Sequence, residues 1–171
     1  EMQRMQDMIA QAMEQGALGI STGLFYVPGS FTPTSEVIEL SKVAAAYGGI
    51  YISHMREEAA QLIDSVQETI RIGVEANIPV QMTHHKVIGK GNYGASVDSL
   101  RLVDEARARG SDRSIDPDPY TASPTGTVTL IPQGAQEGGN ERLPERTASP
   151  ETRRAGKAAT ADPIPAEPGR H

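Results

Sequence analysis

Four short apolar runs begin near residues 17, 50, 80 and 111, about one every 30 residues, and a helix-periodic stretch separates each from the next. That interval is one strand, one helix and their loops. Strands that alternate with helices must lie parallel, because each chain return runs through a crossover helix. Ahead of the first strand, Met5, Ile9 and Met13 recur at helical spacing and Gly16 closes the helix. The run Ala17 to Thr22 then reads as a strand, and Thr34 as the cap of a helix with Val37, Leu40, Ala44 and Tyr47 on one face. Ile50 to Ser53 is the second strand, and Leu62, Val66, Ile70 and Val74 form the next helical face, closed around Asn77. Pro79 to Thr83 is the third strand. Ser96 caps a helix with Leu100, Val103 and Ala106, and Ser111 to Asp116 is the fourth strand. The chain is therefore α/β. Four units are about half of a (β/α)₈ barrel, which takes roughly 250 residues, or part of an open doubly wound sheet. No P-loop sequence follows a strand, and the G-x-G-x-x-G match at Gly89 to Gly94 begins six residues past the third strand rather than directly at its end, which weakens the nucleotide-binding version.

Composition shifts near Gly110: residues 1–110 hold three of the 12 prolines (Pro28, Pro33 and Pro79), and the remainder of the chain holds the others. Residues 1–150 are expected to be the folded part and 151–171 a disordered tail of Ala, Pro and charge. The chain opens at Glu1 rather than Met, inside a helix, which suggests that residues precede it. A net charge of −6, without a basic cluster, argues against nucleic-acid binding through phosphate contacts. No apolar run approaches the roughly 18 residues that span a bilayer, and the opening residues do not resemble a signal peptide. With no cysteine, the chain has neither disulfides nor a thiolate nucleophile, and a cytoplasmic location fits.

Chemistry concentrates at two histidines. His54, in ISHMREE, ends the second strand, and His84, in MTHHK, ends the third. In a parallel sheet these ends share one rim, with neighbouring strands about 4.8 Å apart, so two imidazoles could reach one ion. Each could instead be a hydrogen-bonded structural histidine; equivalent placement in successive units favours the ligand role. His85 points to the opposite side of the strand and reads as supporting or structural, and His171 lies in the tail. Asp116 and Asp118, at the end of the fourth strand, are further candidates, more simply read as a loop acid or a helix cap.

The run GALGISTGLFYVPGSFTPTSEVIELSKVAAAYGGIYISHMREE, then IPVQMTHHK, then IDPDPYTASPTG, resembles the N-acyl-D-amino-acid deacylases of the amidohydrolase superfamily over about residues 1–150. The resemblance implies a partial TIM barrel, strands four to seven, with Zn²⁺ at the C-terminal rim. It implies that His54 and His84 are metal ligands and that Tyr26, in FYVPG, and Lys86, two residues after His84, hold the substrate's carboxylate. Tyr120 is implied as a further substrate contact. The activity implied is hydrolysis of an N-acyl-D-amino acid, with zinc polarising the amide carbonyl and activating water.

This chain departs from the family pattern in several places. The family's His-x-His after strand one, its metal-binding cysteine and its general-base Asp after strand eight have no counterpart in these residues. The catalytic base is thus expected outside them, and the 171 residues alone are expected to be inactive. The family's D-x-Y-P-Y motif reads Asp116-Pro117-Asp118-Pro119-Tyr120 here, and Pro124, Gly134 and Pro144 fall at further disruptive places. The rival readings are an amidohydrolase acting on cyclic amides or dipeptides, of dihydroorotase or hydantoinase type, and a non-catalytic barrel remnant.

Overall fold

The computed structural model describes residues 1–120 and, beyond them, positions 122, 125, 126, 129, 131, 136, 148–151 and 154. Of the expected tail 151–171 only positions 151 and 154 are described; the rest of it, with His171, and Pro124, Gly134 and Pro144 lie outside the described residues.

Eight main elements alternate: α1 (Met2–Glu14), β1 (Gly19–Gly23), α2 (Thr34–Ala46), β2 (Ile50–His54), α3 (Leu62–Ala76), β3 (Val80–His85), α4 (Ala95–Ala108) and β4 (Arg113–Pro117). The strands form one sheet in the order β1-β2-β3-β4, and every pairing is parallel. Each helix packs on the next, α1 on α2, α2 on α3 and α3 on α4. Helices that neighbour one another in chain order lie on one face of the sheet. A doubly wound sheet would place successive helices on opposite faces or reverse the strand order. The arrangement is singly wound, as in a segment of a (β/α)₈ barrel.

Strand alternation sorts the two faces. Tyr51, Ser53, Val80, Met82 and Arg113 are buried beneath the helices. The opposite face carries Ser21, Ile52, Gln81 and Ser114 in one register row. Gln81 links this row to β4, receiving a hydrogen bond from Ser114 Oγ and donating one to Asp116 Oδ1. The core lies between helices and sheet in two patches. One gathers Leu24, Val37, Ile38, Tyr51, Ile72 and Val80, and the other Met55, Leu62, Val66, Met82, Val87 and Val103.

Several sequence expectations shift by a few residues. In α3 the buried line is Leu62, Val66, Thr69, Ile72 and Ala76, whereas Val74 is 59% exposed. A strict four-residue step advances about 40° past a full turn each time, so the expected line Leu62-Val66-Ile70-Val74 winds off the buried face. In α4, Leu100 is exposed and Ser99 takes the inward position, and Tyr47 is exposed just after α2. Neither expected cap is made: Thr34 is already helical and its hydroxyl donates to Glu68 Oε1 at 2.7 Å, and Ser96 lies inside α4, whose N-cap is Gly94. Asn77 does end α3, in the left-handed conformation at φ 51°.

The β1–β2 seam tolerates no side chain at Gly19. A Cβ there would strike the Ile50 carbonyl oxygen and lie 2.7 Å from the Ile50 nitrogen, both main-chain atoms that hold the parallel register. Gly19→Ala is expected to destabilise the fold by about 1–3 kcal/mol, read as a lower urea midpoint.

Candidate metal centre

β2 and β3 end side by side, and their last residues set the site. His54 is the final residue of β2. β3 runs regularly to Thr83, then breaks: His84 sits at φ 40°, and the β3–β4 register shifts between Met82 and His85. A non-glycine residue rarely adopts that backbone, and Asp116 of β4 holds it here. Its Oδ2 accepts the His84 main-chain N–H at 2.6 Å and the Thr83 hydroxyl at 3.3 Å. Burial acts to raise the Asp116 pKa, but these bonds and that from Gln81 keep it below the ordinary carboxylate value. The break turns the His84 ring toward β2 and sends His85 back under the helices. His54 Nδ1 and His84 Nε2 then face each other at 2.8 Å.

Behind the two rings lies a buried ion pair. Lys86 Nζ is 2.9 Å from Glu58 Oε2, and Glu58 is 1% exposed. Lys86 also donates to the His84 carbonyl at 2.9 Å and to His84 Nδ1 at 2.8 Å. Asp118 Oδ2 lies 3.8 Å from the same ammonium. An ammonium has only donors, so this contact fixes the direction of the remaining bonds. His84 Nδ1 accepts, its Nε2–H donates to His54 Nδ1, and the His54 proton sits on Nε2. That Nε2 is buried without a hydrogen-bond partner, 3.9 Å from Glu58 Oε2. Burial, then His84 and Lys86, push the His54 pKa down to about 4. Burial raises the Glu58 pKa, opposed by Lys86.

The donor set suits a cation such as zinc. His54 is neutral at ordinary pH, two ring nitrogens converge, and a carboxylate lies behind them. Two nitrogens on a tetrahedral zinc stand about 3.3 Å apart for Zn–N bonds of about 2.0–2.1 Å, a small opening of the observed pair. Two ligands are fewer than a catalytic zinc takes, and no group of three His, Cys, Asp or Glu side chains is arranged to hold a metal among the described residues.

The other expected site residues are unequally placed. The Tyr26 ring packs on His54 at 4.8 Å between centroids, and its hydroxyl lies 3.2 Å from Thr125 Oγ1. Lys86 stands behind the histidines rather than free at the rim. Tyr120 is 71% exposed, and its main-chain N–H donates to Asp118 Oδ1 at 3.2 Å. Glu58 and Arg56 were not singled out from the sequence. Arg56 donates to the Ser30 and Thr32 carbonyls, both at 2.9 Å, and is paired with Glu68 at 2.8 Å. It thereby ties the Tyr26 loop to the end of β2. The run Arg56-Glu57-Glu58 directly after His54 was the available signal. Nothing in it distinguishes Glu57, which caps the turn at Ala59 and Gln61, from the buried Glu58.

No protein-family model matches the chain. A D-aminoacylase of Alcaligenes xylosoxydans xylosoxydans is 45% identical over 125 residues, which cover 73% of this chain and 26% of the relative. An N-acyl-D-glutamate deacylase from the same organism is 37% identical over 151 residues, covering 88% and 30%. Over the matched residues the chain is similar to the N-acyl-D-amino-acid deacylases. It spans about a quarter to a third of the length of these relatives. The crystal structure of a D-aminoacylase described as defining a novel subset of amidohydrolases superposes with a TM-score of 0.73 at 34% identity, over 96% of this chain and 37% of that one. The N-acyl-D-glutamate deacylase of Bordetella bronchiseptica, complexed with zinc and a phosphonate mimic of the tetrahedral intermediate, gives 0.73 at 33% identity over the same shares. Over the matched part the chain thus shares the α/β fold of these enzymes.

His85 offers a pH test. Its Nε2 bonds Ser99 Oγ at 2.9 Å, and Ser99 donates onward to the Ser96 carbonyl, so the His85 proton is on Nε2. Burial, then Lys86, lower its pKa to about 4. The unfolded chain takes up this proton near pH 6.5 and the folded chain only near 4. The contribution to stability is therefore complete above about pH 6.5 and is lost as pH falls toward 4. His85→Gln is expected to remove on the order of 2 kcal/mol of the stability change across that window, measured by urea unfolding at several pH values.

Proposed function

We propose that the protein carrying this segment is a zinc-dependent deacylase that hydrolyses the amide of N-acyl-D-amino acids to a carboxylate and a free D-amino acid. The observation that carries the proposal is the facing pair His54 Nδ1 and His84 Nε2, 2.8 Å apart at adjacent strand ends, in a chain 45% identical to a D-aminoacylase over 125 residues. The zinc complex of the Bordetella bronchiseptica relative, with its phosphonate mimic, supports the same ion and reaction class. The singly wound order supports a closed eight-stranded barrel in which β1 to β4 are strands four to seven. A cytoplasmic location, with neither nucleic acid nor membrane as partner, completes the reading; no described helix is long and apolar enough to cross a membrane.

His54 and His84 would hold the zinc, which when bound supplies Lewis acidity toward the amide carbonyl and the attacking water. The low proton affinity of His54 keeps its lone pair available at neutral pH. Tyr26, packed on His54, is positioned to face the substrate, and Lys86 brings the cation that pairs with its carboxylate. Tyr120 is assigned to the outer part of the same substrate site. Proton transfer to the leaving amine is assigned to an Asp outside these residues, so the 171 residues alone are expected to show no turnover.

Assays on N-acetyl-D-amino acids beside dihydroorotate and hydantoins test the substrate class; turnover of only the cyclic amides would overturn it. His54→Ala and His84→Ala are each expected to lose bound zinc by metal analysis and at least a hundredfold in kcat/KM. Lys86→Met, which removes a charge-assisted contact to the substrate, is expected to raise KM about tenfold to a hundredfold, with kcat less affected.

A further inference from the structure

Resting on the reading of His54 and His84 as ligands, we propose that Glu58 is the positioning residue that sets the tautomers of both histidines, and that His84 changes tautomer when the metal binds. The hydrogen-bond order around Lys86 leaves the His84 proton on Nε2, the nitrogen that faces His54. A metal needs that lone pair, so the proton must leave Nε2 for solvent while Nδ1 takes one up. The new Nδ1–H requires an acceptor, because a ligating imidazole is oriented by the bond its other nitrogen makes. Glu58 Oε1 is that acceptor. It is buried, has no hydrogen-bond partner, and lies 3.5 Å from His84 Nδ1. The other oxygen, Oε2, is the nearest carboxylate atom to the His54 Nε2–H, which is also buried and unpartnered, and holds Lys86. One carboxylate thus stands behind both rings.

The switch also affects Lys86. Once Nδ1 carries a proton it can no longer accept from the ammonium, and one of the three Lys86 donors is released. Metal binding would in this way free a cationic donor for the carboxylate of the substrate, so that the substrate-holding arm is completed only when the metal is present.

Glu58→Gln separates shape from acceptor capacity. Beside the ammonium, the Gln carbonyl turns to Lys86 and its NH₂ group turns to His84 Nδ1. That favours a lone pair on Nδ1 and so the tautomer that cannot bind metal, the logic by which an amide in place of a carboxylate traps a wrong histidine tautomer. In the full chain, zinc affinity of Glu58→Gln, measured by competition with a chromophoric chelator, is expected to fall about 10- to 100-fold. Imidazole ¹⁵N spectra of the wild type are expected to show His84 moving from Nε2–H to Nδ1–H on zinc loading. If Glu58→Gln fails to fold, as judged by circular dichroism, two double variants without the buried charge pair serve instead. Glu58→Gln/Lys86→Met retains a carbonyl that can accept from Nδ1–H, and Glu58→Leu/Lys86→Met does not; the second is expected to bind zinc about 10- to 100-fold more weakly than the first. Equal zinc affinity within that pair, or wild-type affinity and an unchanged His84 tautomer in Glu58→Gln, overturns the inference while His84→Ala still loses zinc. Retention of zinc by His84→Ala overturns the ligand reading, and this inference with it.

Discussion

Parallel pairing of β2 with β3 is the constraint on which the site depends. The register Tyr51↔Val80 to Ser53↔Met82 brings two strand ends, 30 residues apart in sequence, to one level of one rim. In a parallel ladder a one-residue slip would turn every side chain to the other face. Tyr51, Ser53, Val80 and Met82 would then leave the helix-covered core, where each is at most 2% exposed. The burial that fixes the register therefore also fixes the separation of His54 and His84, and stability and chemistry share one set of contacts.

The buried Lys86–Glu58 pair is harder to justify by stability alone. Two charges removed from water lose hydration that their mutual attraction recovers only with good geometry and further hydrogen bonds, and an apolar pair of similar shape is often as stable. Here the geometry is good, at 2.9 Å with an added bond to the His84 carbonyl, yet Glu58 Oε1 remains unmatched. An unmatched carboxylate oxygen aimed at an imidazole in a closed core is poor design for a scaffold. It fits the switch proposed for His84, in which the facing nitrogen gains a proton.

Much of this was legible in the sequence because it follows from periodicity. The strands at residues 19–23, 50–54, 80–85 and 113–117 lie within about two residues of their expected places, since short apolar runs bounded by glycine and asparagine have few alternatives. His54 and His84 stood out because each closes such a run. Glu58 did not, because its burial is decided by the loop after β2 folding back so that its carbonyl accepts the Ile88 N–H, a contact with no local pattern. Lys86 was legible as a cation near the site, but its pairing with Glu58 depends on that same loop. The caps expected at Thr34 and Ser96 failed for a related reason: a hydroxyl near a helix start has several acceptors available, and tertiary partners compete with the helix's own N–H groups.

The left-handed backbone of His84 joins these strands of reasoning. Had β3 continued regularly, successive side chains would alternate, and His84 would project with the parity of Met82 beneath the helices. One irregular residue resets that parity, so His84 turns toward His54 and His85 takes the buried place beside Ser99. Such a conformation costs of order 1–3 kcal/mol and persists only where neighbours enforce it. Asp116 does so from β4 through the His84 N–H. Its role here is thus one strand removed from the proposed metal position: it shapes the main chain that presents His84. The repeat of βα units supplies the rim, and this local departure from the repeat supplies the chemistry.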